Sequence, residues 1–246
     1  MSESPTTPHR RLGVLGGMGP VASAQFVSSV YDHCGGAREQ DFPALVLHSE
    51  PAVSPRTPAT MDAGESPVLT RMVTGLSRLV DCGCEDIVMC CMTSHHLLPR
   101  ISPELSGRVI SVLDVAVDEI ARRGGRHLLL CSTDSRALRL FERHPRWERA
   151  EPHVVMAEAA EYRTLQDAIQ DIKTNKGPDR AVDWITRHLK ETGASSVIAG
   201  CSEIHVLSRR WGHLIDADVL DPFDVLARAA ADGRLADYRY TESEKH

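Results

Sequence analysis

The chain has 246 residues, 42% apolar and 25% charged, a balance that suits a soluble protein of one large domain or two smaller ones. A formal charge of −6 without any Lys/Arg run gives no footing for nucleic acid, and no stretch approaches the ~20 apolar residues of a membrane span. Seven cysteines, odd in number and thinly spread, fit reduced thiols in a cytoplasmic compartment better than a disulfide framework, and Cys82-Gly83-Cys84 lacks the second pair that a zinc site needs.

Residues 1–10 are polar and read as a disordered leader. Leu12-Gly13-Val14-Leu15 is a short apolar strand that runs into Gly16-Gly17-Met18-Gly19-Pro20 and then a helical pattern to about Tyr31. GxGxxG does not match here, so the turn is read either as a plain strand-to-helix connection or as a carboxylate-binding loop at a helix N-terminus. Pro43 to His48 reads as a second strand, and the loop after it carries a single cation, Arg56, between Pro55 and Thr57. Proline stiffens such a loop, and a guanidinium held there can grip a carboxylate with two parallel hydrogen bonds, although a solvated surface Arg is the simpler reading. An amphipathic helix over Ser66–Asp81 leads to the apolar run Ile87–Met89 and Cys91.

Val109–Val112 reads as a strand, followed by a helix from Val115 to about Arg123. Leu128–Cys131 is the next strand, and the turn Ser132-Thr133-Asp134-Ser135 opens a helix expected to reach Phe141. His153–Met156 is a strand, and Leu165–Ile172 and Ala181–Lys190 are helices around a loop at Lys173–Asp179. Val197-Ile198-Ala199-Gly200 then leads into Cys201. Finally Asp221 is a good N-cap and Pro222 a good first residue for a helix to Ala231.

Two stretches match. Each has an apolar run, a cysteine, and a histidine four residues on: Cys91 with His95, and Cys201 with His205. The cysteines are 110 residues apart, Phe26 and Phe141 are 115 apart, and Asp114 and Asp221 are 107 apart. Similar offsets point to two copies of one α/β unit, each with a parallel sheet whose ligands gather beyond the carboxyl ends of its strands. A cysteine between strand end and helix start sees aligned N–H groups, which favour the thiolate and lower its pKa. Two such thiols on opposite faces of a substrate would let one remove a proton while the other donates one, inverting a stereocentre. The carbanion formed needs donors or cations around its oxygens. Backbone N–H groups near Gly17 and Met18, the hydroxyls of Thr93, Ser135 and Ser202, and Arg56 are the candidates. No lysine motif for pyridoxal phosphate and no nucleotide fingerprint is visible, so the chemistry reads as cofactor-independent, with no metal.

At this point the chain resembles the aspartate/glutamate racemase family, the two-cysteine racemases that use no pyridoxal phosphate. The resemblance lies in Gly16-Gly17-Met18-Gly19-Pro20, Pro55-Arg56-Thr57, Cys91-Met92-Thr93-Ser94-His95, Gly200-Cys201-Ser202-Glu203-Ile204 and Asp221, in order over about residues 11–235. It implies two pseudo-symmetric α/β lobes, residues 11–113 with 218–246 and residues 114–217, in a homodimer. It also implies a cleft where Cys91 and Cys201 are the acid/base pair. Gly17, Met18, Met92, Thr93, Ser94, Ser135, Ser202 and Glu203 would line it, with Arg56 on the distal carboxylate of an acidic amino acid and Lys173 as a second cation. Two departures bear on the substrate. Met92 stands where the family has Asn, and Asp134 stands where it has Gly and would repel an anionic substrate. The alternatives are a related cysteine isomerase or decarboxylase of a small dicarboxylate, and, outside enzymes, a ligand-binding or thiol redox protein. A redox pair would be expected close in sequence, and these cysteines are not.

Overall fold

The computed structural model describes residues 10–35, 38–52 and 55–240. The expected leader, apart from Arg10, lies outside them; Arg10 itself pairs with Glu85 at 2.8 Å and Asp86 at 3.1 Å. The first sheet holds β1 (Leu12–Gly16), β2 (Leu45–Ser49), β3 (Asp86–Met89) and β4 (Val109–Ile110) in the order β2-β1-β3-β4. The second holds β5 (His127–Leu130), β6 (Val154–Val155), β7 (Ser196–Ala199) and β8 (Asp218–Leu220) in the order β6-β5-β7-β8. All these pairings are parallel. The two orders correspond strand for strand, which is the duplication expected from the offsets. Strands β1, β3, β5 and β7 are buried along their whole length, as central strands of a sheet covered on both faces should be.

The long helices are α1 (Pro20–Asp32), α2 (Pro67–Asp81), α3 (Val112–Arg123), α4 (Glu161–Lys173), α5 (Asp179–Thr192), α6 (Ser202–Trp211) and α7 (Pro222–Ala231). Their ends follow local chemistry. Ser66 Oγ caps α2 by accepting from Leu69 N–H, and Asp221 caps α7 by accepting from Phe223 and Asp224 N–H. One cap differs from expectation. The fourth strand signal, Val109–Val112, stops at Ile110, and Ser111 rather than Asp114 caps α3, accepting from Asp114 N–H. Ser111 and Asp221 are 110 residues apart, so the true pair of caps repeats at the same spacing as the two cysteines.

Two more expectations change. The helix after Ser132 covers only Thr133–Ala137, and Arg139 takes a positive φ of 51°, a conformation that ends a helix of L-residues. Residues 218–220 belong to the second sheet as β8, beside β7, so the chain returns to the first lobe at α7 and not at residue 218.

α1 packs against α6 and α7, and α7 against α3, so helices from both lobes share one seam. Phe26 of α1 meets Phe223 of α7 edge-on, with ring centroids 6.3 Å apart. A polar rim closes the same seam: Arg209 bonds Asp32 at 3.1 Å and Asp224 at 3.2 Å, and His33 meets Asp224 at 2.8 Å. The larger of two apolar cores runs through this seam, from Leu12 and Val14 to Val197, Ile198 and Phe223. The last described residues finish the first sheet. Tyr240 N–H donates to Val109 at 2.8 Å, and Arg239 pairs with Asp86 at 2.6 Å. Among the described residues no helix is long and apolar enough to cross a membrane.

Candidate active site

Cys91 and Cys201 each lie two positions past the last residue of their strands, Met89 and Ala199. Both are buried, at 7% and 8% exposure. Cys201 is the N-cap of α6 in extended backbone, whereas Cys91 is followed by a 3-10 segment, Thr93–Arg100, with Pro99 inside it. Only the second cysteine therefore stands at the N-terminus of a long α-helix.

The histidines of the two matched motifs are scaffolding. The ring of His95 accepts from Val112 N–H through Nε2 at 3.2 Å, so Nδ1 is the donor, at 3.1 Å from the Cys91 carbonyl. Burial lowers its pKa and keeps it neutral, against opposing hydrogen bonds and Asp114. In the second lobe His205 Nδ1 donates to Asp221 Oδ2 at 2.8 Å, and its Nε2 meets Ser29 Oγ at 3.1 Å. That ring ties α6 to the cap of α7 and to α1. Ser29, His205 and Asp221 line up as a nucleophilic triad would, but Ser29 is wholly buried in the seam, with no room for a substrate.

Around Cys201 the groups are charged. Its thiol donates to Glu203 Oε2 at 2.8 Å, as does Ser202 Oγ at 3.2 Å. Glu203 is 2% exposed, and its other oxygen, Oε1, has no hydrogen-bond partner among the described residues, though Lys173 Nζ stands 3.8 Å away. Gly19 makes room for this carboxylate: a Cβ there would overlap Glu203 Oε1. Burial first, then the charge of Glu203, push the Cys201 thiol well above its ordinary pKa, with Lys173 opposing. The thiolate expected from the helix end is thus overruled on this side. Burial also works against charge on Lys173, yet Glu203, Cys201 and Cys91 outweigh it and hold the ammonium pKa above its usual value, while Arg56 opposes. Lys173 is thus the cation on which the charges of Glu203 and of the two cysteines act.

Arg56 is half-buried and donates to the Met18 carbonyl at 2.8 Å, joining its loop to the glycine turn. Gly17 has a φ of +87° and backs onto the main chain of Glu50, where no side chain fits. Across the lobes, Thr93 Oγ1 lies 2.8 Å from Ser135 Oγ and 3.3 Å from Ser132 Oγ. Ser132 caps the short helix carrying Asp134, whose half-buried carboxyl is raised by burial against the pull of Arg56 and Lys173.

The structure thus gathers Cys91, Cys201, Arg56, Thr93, Ser135, Lys173, Ser202 and Glu203 with the turn at Gly17 and Met18. Two others lie beside the site with their side chains already occupied. Met92 is 1% exposed and packs in the larger core, the one that also holds Cys201. Ser94 is fully buried and donates to Met18 Sδ at 2.9 Å, so its hydroxyl is already committed. The roles of Gly19, His95 and His205 went unassigned in the sequence, although the repeated four-residue interval to His was the visible signal. A cavity of about 840 Å³ lies elsewhere, behind His95, between Leu113, Asp114, His144 and Tyr240, and includes neither cysteine. Among the described residues no group of three or more His, Cys, Asp or Glu could hold a metal ion.

Comparison with known proteins gives concordant findings. The family model of Asp/Glu/hydantoin racemases matches residues 15–230. A broad specificity amino-acid racemase of Bacillus subtilis, RacX, is 25% identical over 125 residues, a match that spans about half of each protein, 48% of this chain and 53% of the other. In fold, the chain resembles an aspartate racemase of Picrophilus torridus with a TM-score of 0.74, at 20% identity, covering 96% of this chain and 98% of that one. An allantoin racemase of Klebsiella pneumoniae gives a TM-score of 0.58 at 14% identity, covering 92% and 93%.

Proposed function

Because the chain belongs to the Asp/Glu/hydantoin racemase family, we propose that it is an isomerase that inverts the α-carbon of an amino acid without a cofactor, using Cys91 and Cys201 as its two bases. The observation that carries this reading is the placement of the two cysteines at the ends of matching strands in the two sheets, with Glu203 joining Cys201 at 2.8 Å to Lys173 at 3.8 Å and to Gly19 of the first turn, and Thr93, two residues past Cys91, meeting Ser135 at 2.8 Å. One thiolate removes the α-proton and the opposite thiol returns a proton to the other face, so the bond to hydrogen is broken and remade with inversion. Arg56, Lys173 and the hydroxyls of Thr93 and Ser135 stand ready for the carboxylate oxygens on which the carbanion's charge accumulates. Glu203 Oε1, without a hydrogen bond among the described residues, is an acceptor for the α-ammonium. Relatives are named for aspartate, for allantoin and for broad specificity, which leaves the side chain of the substrate open. The homodimer and the cytoplasmic setting come with the same reading.

The test is proton NMR in D2O with a panel of L- and D-amino acids and no pyridoxal phosphate. Loss of the α-proton signal together with appearance of the other enantiomer is expected, and Cys91→Ser and Cys201→Ser should each abolish racemisation, by about 10³-fold or more. Full activity in either variant would remove that cysteine from the mechanism. A panel without any exchange would end the racemase reading.

A further inference from the structure

The four charged side chains of the site balance: Arg56 and Lys173 on one side, Glu203 and Asp134 on the other. Three of them have work in the proposed reaction, since the cations take the α-carboxylate and Glu203 takes the α-ammonium. Asp134 has none. Its carboxylate has no hydrogen bond or ion pair among the described residues, unlike Glu203, which holds Cys201 and Ser202. Its position is fixed from several directions. The turn Ser132–Ser135 follows β5, which pairs with β7 up to Leu130 beside Ala199, two residues before Cys201. The turn's hydroxyls meet Thr93 from the Cys91 side. Thr133 N–H donates to Gln166 of α4 at 3.1 Å, seating the short helix on the helix that ends at Lys173.

We propose that Asp134 is a specificity residue that faces the substrate's side chain and selects amino acids with a single carboxylate, above all those whose side chain bears an amino group or another hydrogen-bond donor. This rests on the racemase reading and names the substrate class of that same site. A zwitterion with no side-chain charge leaves the four charges balanced, so that only the working thiolate remains uncompensated. A second carboxylate would add a further negative charge to a site already holding that thiolate, Glu203 and Asp134 in poor solvent contact. A side-chain ammonium would instead pair with Asp134. The field of Arg56 and Lys173 at the Asp134 carboxylate supports this placement, because both cations pull against the rise that burial imposes on it. The ordinary reason for an acid in a helix's first turn is the helix dipole, and five residues make that a small effect.

The experiment measures kcat/KM for α-proton exchange in D2O on ornithine, lysine, asparagine, glutamine, aspartate and glutamate, with the wild type and Asp134→Asn. The wild type should favour the best single-carboxylate substrate over aspartate and glutamate by at least about tenfold, and Asp134→Asn should shrink that ratio by at least about tenfold. Asn keeps the shape of Asp, and the carboxylate it replaces has no hydrogen bond among the described residues, so folding should survive; circular dichroism checks it, and the wild-type ratio stands as a test by itself. A wild type that prefers aspartate or glutamate, or a ratio unmoved by Asp134→Asn, would overturn the assignment while leaving the racemase intact. Exchange on no amino acid would bring down the racemase reading and this inference with it.

Discussion

Glu203 makes the two cysteines chemically unequal. Its Oε2 accepts a hydrogen bond from Cys201 Sγ at 2.8 Å, and its charge opposes any thiolate formed there. Cys201 therefore rests as a thiol, and in the proposed reaction it would be the proton donor, with Lys173 opposing the effect of Glu203 on it. The sign of a substitution follows. Glu203→Gln removes a negative charge beside the thiol, so the thiolate becomes easier to form and the raised pKa falls. Alkylation of Cys201 by iodoacetamide should then reach its plateau at lower pH in Glu203→Gln than in the wild type, and run faster at any pH below the wild-type pKa. An unchanged pH profile would show that burial alone sets this thiol. None of this was visible from sequence. The expected lowering of both thiols used only the helix terminus, whereas the position of a buried carboxylate two residues along, facing back towards its own cap, depends on Gly19 from the other lobe.

At the scale of elements, the two units repeat most faithfully where strand gives way to helix. Strand ends, cysteines and the Asp221 cap were legible because each is a local signal: an apolar run, a thiol, a side-chain oxygen accepting from the third N–H; the Ser111 cap was masked by Asp114 three residues on. The lengths of the shorter elements were not legible. β4 and β6 were expected over Val109–Val112 and His153–Met156 but hold two residues each, and the break after Ala137 depends on one residue at positive φ. The paired caps give a graded prediction. Ser111→Ala removes one hydrogen bond to the backbone and should cost about 1 kcal/mol. Asp221→Ala loses a cap and also strands the Nδ1–H of buried His205, so about 3 kcal/mol is expected from the two effects together. Denaturant titration of the two variants gives both values, and equal losses would mean that the His205 link contributes nothing.

For the molecule as a whole, the lobes are separate as sheets and joined as a core. β1, α1, β7 and α7 contribute to one apolar cluster, so neither lobe can lose its packing without exposing the other's. Unfolding should accordingly be one transition, with calorimetric and van't Hoff enthalpies in agreement, and two resolved transitions would contradict the shared core. In the homodimer proposed above, the midpoint of that transition should rise with protein concentration. Half-exposed Leu47 on the edge strand β2 and Tyr31 stacked on Phe42 offer apolar surface consistent with such a partner. The two-lobed architecture could be read from the repeat, but the seam could not, because the residues that build it come from α1, α6 and α7 and share no spacing along the chain.

The strap made by Arg239 and Tyr240 on β4 has a consequence for how the protein is made. A ribosome delivers the first sheet early, yet the apolar face of α1 waits for α6, near the end of the second lobe, and for α7, and the outer edge of β4 waits for residues 239–240 beyond that lobe. An uncovered strand edge and a bare helix face are the surfaces on which nascent chains mispair, so the growing polypeptide carries that exposure through most of its synthesis. Translation and closure run in opposite senses here: the part of the chain that leaves the ribosome first is the part that is sealed last.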